Sequence, residues 1–181
     1  MTLQQSTTPH DGTPTPGADP AGYMLGPDEG SFTYFVGGLL SFKAKAADTR
    51  GALSFFQVEA PYGWQAPVHQ HGTEHELFHI TEGVMEVLVN ETVHRATPGC
   101  TLWIPANTNH SIFVTSKRAR GFCVITPGGF EKFFEELGEP ATVPSMPTHQ
   151  TRMPSPEEFM AVGAKYAWNF QEPEPRRLDV P

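Results

Sequence analysis

From Ser31 onward the apolar side chains come in short runs, continuous or alternating with polar residues, each broken by Gly, Pro or a polar cluster. Such runs cover residues 32–35, 39–43, 53–59, 76–81, 84–89, 92–96, 101–104, 111–115 and 121–126. Their length and punctuation predict the strands of a β-sandwich or barrel. Two later stretches have a different period. Phe130, Phe133, Phe134 and Leu137 recur at helical spacing and are stopped by Gly138 and Pro140, which predicts a short amphipathic helix packed over the end of the strands. Ser155-Pro-Glu-Glu supplies an N-cap, a proline at the first helical position and a capping-box glutamate at Glu158, so a second helix is expected to start there. Between the helices, residues 143–153 are proline-rich and read as an irregular surface arm. Residues 1–20 carry hardly an apolar side chain and read as a disordered tail, and the chain after Phe170 reads as a frayed end.

Composition agrees with an all-β chain. Among 181 residues there are 17 glycines and 18 prolines, more turn-formers than a helical bundle tolerates. The net charge of −8, with Lys117, Arg118 and Arg120 the main basic cluster, argues against nucleic acid as a partner. No run reaches the length of a membrane span and the first residues lack a signal-peptide pattern, so a soluble, cytoplasmic protein is expected. Cys100 and Cys123 each sit in an apolar run and read as small buried residues.

The chemistry concentrates between Gly63 and Gly83, where four histidines and three glutamates fall within one stretch. Two metal sites can be read in it. His75-Glu76-Leu77-Phe78-His79 fits the His-Glu-x-x-His pattern of zinc proteases, which requires a helix. Gly72, Gly83 and the strand-forming residues around them oppose that helix. The alternative places the region on two strands joined near Gly72. Residues two apart then share a face, so His69 and His71 point the same way, and Glu76, Phe78 and Ile80 continue that face on the next strand. His75, Leu77 and His79 point outward. Nitrogen and oxygen donors converging from adjacent strands suit a divalent metal with open positions.

A fourth donor, His110, stands in the run from Gly99 to His110. The two stretches together resemble the paired motifs of the cupin superfamily. Gly63, His69, His71, Glu76 and Gly83 meet the first motif in full. Gly99, Pro105 and His110 meet the second, with Asn107 in place of its middle glycine and Val114 in place of its closing asparagine. Asn tolerates the left-handed backbone that glycine would supply, so the first departure is mild. The resemblance implies an all-β cupin fold, a small β-barrel or double-stranded β-helix jelly roll with short C-terminal helices: a barrel over 26–127, a helical extension over 128–170 packed on it, and a tail over 171–181. His10, His94 and His149 are expected to be surface residues.

Residues from about Gly26 to Phe170 further resemble the single-domain bacterial quercetin 2,3-dioxygenases, most clearly over residues 54–61, 76–83 and 126–140. That resemblance implies oxygenative cleavage of a flavonol with release of carbon monoxide. It implies one divalent transition metal per chain (nickel, cobalt, manganese, iron, copper or zinc) held by His69, His71, Glu76 and His110. Glu76 would also be the catalytic base for the flavonol hydroxyl. The implied partners are a small-molecule substrate and dioxygen, and the implied assembly is a homodimer. Phe78 and Ile112 are the expected pocket residues, whereas Ile80, Ile104 and Val114 share the inward face and Trp64 and Trp103 fit either pocket or packing. Two alternatives stand beside this reading: a cupin enzyme acting on another enolic or phenolic compound, by oxygenation or isomerisation, and a non-catalytic cupin that binds a ligand through its metal.

Overall fold

The computed structural model describes residues 22–170; the tails expected at 1–20 and 171–181, and His10, lie outside them. The strands, in chain order, are β1 (Ser31–Phe35), β2 (Gly38–Ala44), β3 (Ser54–Pro61), β4 (Gln65–His71), β5 (His75–Glu82), β6 (Met85–Val89), β7 (Thr92–Ala96), β8 (Thr101–Ile104), β9 (His110–Val114), β10 (Arg118–Thr126), β11 (Glu139–Ala141) and β12 (Trp168–Phe170). Three helices accompany them: α1 (Ala46–Thr49), α2 (Glu131–Leu137) and α3 (Pro156–Lys165).

The strands form two antiparallel sheets, ordered β11-β1-β2-β3-β10-β5-β8 and β12-β4-β9-β6-β7. From β3 to β10 the chain changes sheet at nearly every turn, the habit of a jelly roll. Each sheet buries one face. On β10, residues Ala119, Gly121, Cys123 and Ile125 are buried while their neighbours are not, and on β5 the buried set is Glu76, Phe78 and Ile80. Leu40, Phe56, Val58 and Ile125 from one sheet meet Met85, Val87, Ile112 and Val114 from the other in a common core. Burial on this scale contributes about 1.5–3 kcal/mol for each large apolar side chain.

The turn after β5 shows why the first motif closes with glycine. Gly83 has φ +76°, and a Cβ there would lie 2.1 Å from the Arg118 carbonyl oxygen. Any side chain would force β5 and β10 apart.

The segment after β10 mixes elements that the sequence pattern predicted with two that it did not. α3 starts as expected: Ser155 Oγ accepts from the Glu158 amide at 3.2 Å, and the Glu158 carboxylate accepts from the Ser155 amide at 2.8 Å. α2 is fastened at its first residue. The buried Glu131 carboxylate accepts from Ser54 Oγ at 2.5 Å, from the Gly129 amide at 2.8 Å and from the Ala46 amide at 3.0 Å. The unforeseen strands β11 and β12 are three residues each, too short to leave a periodic trace. β11 joins β1, and β12 joins β4 with Trp168 opposite His71 and Phe170 opposite His69. Cys123 is buried, but Cys100, expected to be buried, is partly exposed because it lies in the turn leading to β8; both are free thiols. No helix among the described residues is long and apolar enough to cross a membrane.

Candidate metal centre

His69 and His71 lie on β4, Glu76 on β5 and His110 on β9. β4 and β9 are neighbours, with His69 and His110 directly opposite, and Glu76 approaches from the facing sheet. All four side chains are buried, and one potential ligand atom from each lies within 4.8 Å of the others. The His69 and His110 ring centroids are 4.1 Å apart. Glu76 Oε2 is 3.0 Å from His110 Nε2, and Glu76 Oε1 is 3.7 Å from His71 Nε2.

Hydrogen bonds fix the tautomers of two rings. His69 Nδ1 is 2.7 Å from the Pro67 carbonyl oxygen and His110 Nδ1 is 2.9 Å from that of Thr108. A carbonyl only accepts, so both rings carry their proton on Nδ1 and keep the Nε2 lone pair for the cluster. Burial holds His69 well below the usual imidazole range, with the charges of His110 and His71 acting in the same direction. Burial also lowers His71. At His110 burial is outweighed by the Glu76 carboxylate, which raises the ring above its ordinary value. Burial alone would raise Glu76, but the charge of His71, followed by contact with and charge from His110 and the charge of His69, brings it down to about 2.

These donors fit one metal ion. His71 Nε2 and His110 Nε2 are buried without a hydrogen-bond partner, a costly state for an imidazole unless another group takes the lone pair. Three imidazoles and a carboxylate suit a divalent transition metal and do not choose among the candidates.

The cluster lies against a cavity of about 530 Å³ to which His69, His71 and Glu76 contribute. Phe78 and Ile112 line it, as does Trp64, whose Nε1 donates to the Phe35 carbonyl at 3.2 Å. Ile80, Ile104 and Val114 are buried in the core instead. Trp103 points outward and is 53% exposed. Sequence reasoning missed most of the aromatic wall: Phe130, Phe133, Phe134, Phe159 and Trp168 come from the segment after β10. α2 was expected to be a seal; it also furnishes part of the cavity surface. Trp168 packs on His69 at 5.3 Å between ring centroids, and Phe130 meets His71 edge-on at 4.3 Å.

The remaining histidines stand apart from the cluster. Residues 75–82 form a strand, so His75 and His79 cannot share the helical face that a zinc-protease motif needs. His75 stacks on Trp103 and its Nδ1 accepts from the Ala106 amide, while His79 Nδ1 is 2.8 Å from Thr101 Oγ1. His94 is exposed on β7, and His149 is exposed beside Glu139.

Several known proteins are similar to this chain. A cupin domain model matches residues 56–125. Quercetin 2,3-dioxygenase of Bacillus subtilis (strain 168) is 33% identical over 118 residues, which is 65% of this chain and 35% of that protein. The chain therefore aligns with about a third of that relative's length. Among solved structures, KdgF from Halomonas sp. superposes with a TM-score of 0.48 at 19% identity, covering 53% of this chain and 85% of KdgF. The Cnp3 cupin domain of Schizosaccharomyces pombe gives 0.47 at 22% identity, covering 55% and 67%. With both motifs placed on neighbouring strands and their donors gathered at one point, residues 56–125 match a cupin domain, and the chain that carries them resembles quercetin 2,3-dioxygenase.

Proposed function

We propose that this protein is a metal-dependent dioxygenase that opens the central ring of a flavonol, consuming dioxygen and releasing carbon monoxide. The observation that carries the reading is the junction of a polar cluster and an aromatic cavity: three of the four potential ligands, His69, His71 and Glu76, sit at a wall of a space otherwise lined mostly by Phe, Trp, Met and aliphatic side chains. Its volume of about 530 Å³ falls within the range of small-molecule sites. A flat polyphenol that presents one reactive oxygen to the cluster and its rings to the aromatic wall matches that distribution of polarity. The sequence similarity to a quercetin 2,3-dioxygenase supports the same substrate class.

His69, His71, Glu76 and His110 would hold the metal. When bound, it supplies positive charge that favours the deprotonated form of the substrate's 3-hydroxyl. Phe78, Ile112 and Trp168 pack against the substrate and exclude water. Glu76 takes the hydroxyl proton. Two opposed influences act on its carboxylate, the burial that raises its proton affinity and the histidine contacts that lower it. The role requires Glu76 to loosen from the metal or shift as substrate enters, whereupon burial raises its proton affinity and makes the carboxylate a competent base.

Protein reconstituted with each candidate metal and mixed with quercetin in air should lose the flavonol absorbance while taking up oxygen and releasing carbon monoxide. Binding without oxygen uptake would identify a ligand-binding cupin, and no interaction would point to another enolic or phenolic substrate. Normal turnover by metal-loaded Glu76→Gln would remove the proposed base. We also propose a homodimer joined through sheet edges; a solution mass of one chain, 19.9 kDa, would rule it out.

A further inference from the structure

The cavity beside the cluster has a closed end and an open one. His69, His71 and Glu76, at its polar end, are 5% exposed or less. Three other residues of the lining, Met153, Met160 and Phe170, are 63%, 55% and 37% exposed. A side chain that lines a cavity and also meets solvent marks where the cavity opens. The mouth therefore lies between the end of the proline-rich arm, α3 and β12, and the metal donors lie at the inner end. Among the described residues, the lining holds no charged group besides the cluster itself.

The arm is a stretch to which the proposed activity gives no role, yet its end is firmly fastened. Thr151 and Pro154 are buried on either side of the exposed Arg152 and Met153. The Arg152 amide donates to the Glu139 carboxylate, which also stands 3.2 Å from His149 Nε2. The Arg152 guanidinium donates to the Leu137 carbonyl at 2.8 Å and to the Glu158 carboxylate at 2.6 Å. One residue thus ties the arm to the end of α2, to β11 and to the first turn of α3. Its charge is spent on those partners, and the neighbouring Met153 presents a thioether to the cavity. Pro156, Phe159 and Met160 follow at helical spacing and continue the same rim.

We propose that Arg152 latches the arm so that Met153 and Met160 form the outer wall of the substrate site and select ligands with an aromatic ring at the end remote from the metal. Methionine suits that place, since an unbranched thioether adapts to the outline of a ring and makes favourable contact with its edge. A flavonol with its 3-oxygen at the cluster carries an outer ring toward the mouth, where it covers the two methionines. The proposal takes its ligand class from the flavonol reading; the position of the mouth does not depend on it.

The test uses the full chain loaded with cobalt(II), without oxygen. Isothermal titration calorimetry reads the affinity for quercetin and for 3-hydroxy-4-pyranone, which is the central ring alone. Met153→Ala and Met160→Ala should each weaken quercetin about 5-fold, the loss expected when roughly half of a methionine side chain no longer becomes buried. The pyranone, too short to reach the mouth, should stay within about a factor of two of its wild-type affinity. Arg152→Ala, which frees the arm, should reproduce the loss seen in Met153→Ala, with the pyranone again unchanged. The proposal is overturned if quercetin keeps its affinity in the methionine variants, or if the pyranone weakens in parallel and so reports a change of fold or metal site. Parallel weakening in Arg152→Ala would make Arg152 a structural residue only and overturn the latch. Failure of the flavonol reading would show separately, as absence of quercetin binding to the wild type. Nile red, an uncharged planar dye whose fluorescence rises in an apolar cavity, then takes the place of quercetin. A loss of roughly 5-fold in both methionine variants would uphold the mouth, and unchanged dye binding would overturn it.

Discussion

The strands that carry the potential ligands and the segment that carries the aromatic wall are built on different principles. β4, β5 and β9 are interior strands: β4 lies between β12 and β9, β9 between β4 and β6, and β5 between β10 and β8. Backbone ladders on both sides fix their register, and with it the direction of every side chain. The chain after β10 contributes two short helices and two three-residue edge strands, held largely by ring packing among Phe130, Phe133, Phe134, Phe159 and Trp168. Donor positions are thus set by backbone geometry, whereas cavity shape is set by side-chain packing. The first region should therefore keep its frame when a side chain is lost, and the second should not.

The largest expected effect tests the frame. His71→Ala removes a donor from a strand that keeps its ladder, so the protein should unfold as cooperatively as the wild type while losing stoichiometric metal. The fall in metal affinity should exceed the ~100-fold upper end expected for a supporting partner. Elemental analysis after dialysis and thermal unfolding with and without chelator check it: chelation should lower the melting temperature of the wild type and leave that of His71→Ala unchanged. Loss of cooperative unfolding would show that the cluster holds the strands, reversing the comparison.

Phe133→Ala tests the wall. Phe133 is buried, lines the cavity and packs on Phe130, Phe159 and Trp168. Truncation should cost about 3–5 kcal/mol, measured by denaturant unfolding. Metal stoichiometry should stay at the wild-type value. A large stability loss with metal retained separates the two regions; loss of metal would join them.

That division also explains what the sequence could reveal. The spacing from Gly63 to Gly83 and from Gly99 to His110 is legible because strand parity and steric requirements at turns act locally. Gly83 can be nothing larger, and Asn107 has φ +60°, the left-handed conformation that its motif position requires. The wall is not legible in the same way. Phe130, Phe133 and Phe134 announce an apolar helix face, but whether such a face meets a core or a cavity depends on what lies opposite. Trp168 and Phe170 belong to a strand too short for any period.

Ser155→Ala loosens the wall from its far end. The change removes the side-chain oxygen that accepts the Glu158 amide at the start of α3 and should cost about 1 kcal/mol by denaturant unfolding. Phe159, one turn further along, should then hold the substrate less tightly, raising KM for a flavonol while metal affinity stays constant. A change in metal affinity from so distant a cap would mean that the wall supports the donors more strongly than ring packing suggests.

Asn107→Gly should have the smallest effect, and it probes the joint where the two regions meet. Gly72 is hydrogen-bonded to the Asn107 side chain on one side and to Ala167 on the other, so this turn links β4 to the chain leading into β12. Glycine keeps the positive φ without strain and keeps the amide that donates to the His71 carbonyl. It loses the side-chain bond to the Gly72 carbonyl, a contribution of about 0.5–1.5 kcal/mol, of which relief of the left-handed asparagine offsets part. Denaturant unfolding should therefore move by less than about 1 kcal/mol, and metal affinity, read with cobalt(II), by less than the ~10-fold expected from removing a direct partner of a metal-ligating histidine. A larger loss of metal than of stability would locate the rigidity of the donor set in this one turn and not in the strand ladders.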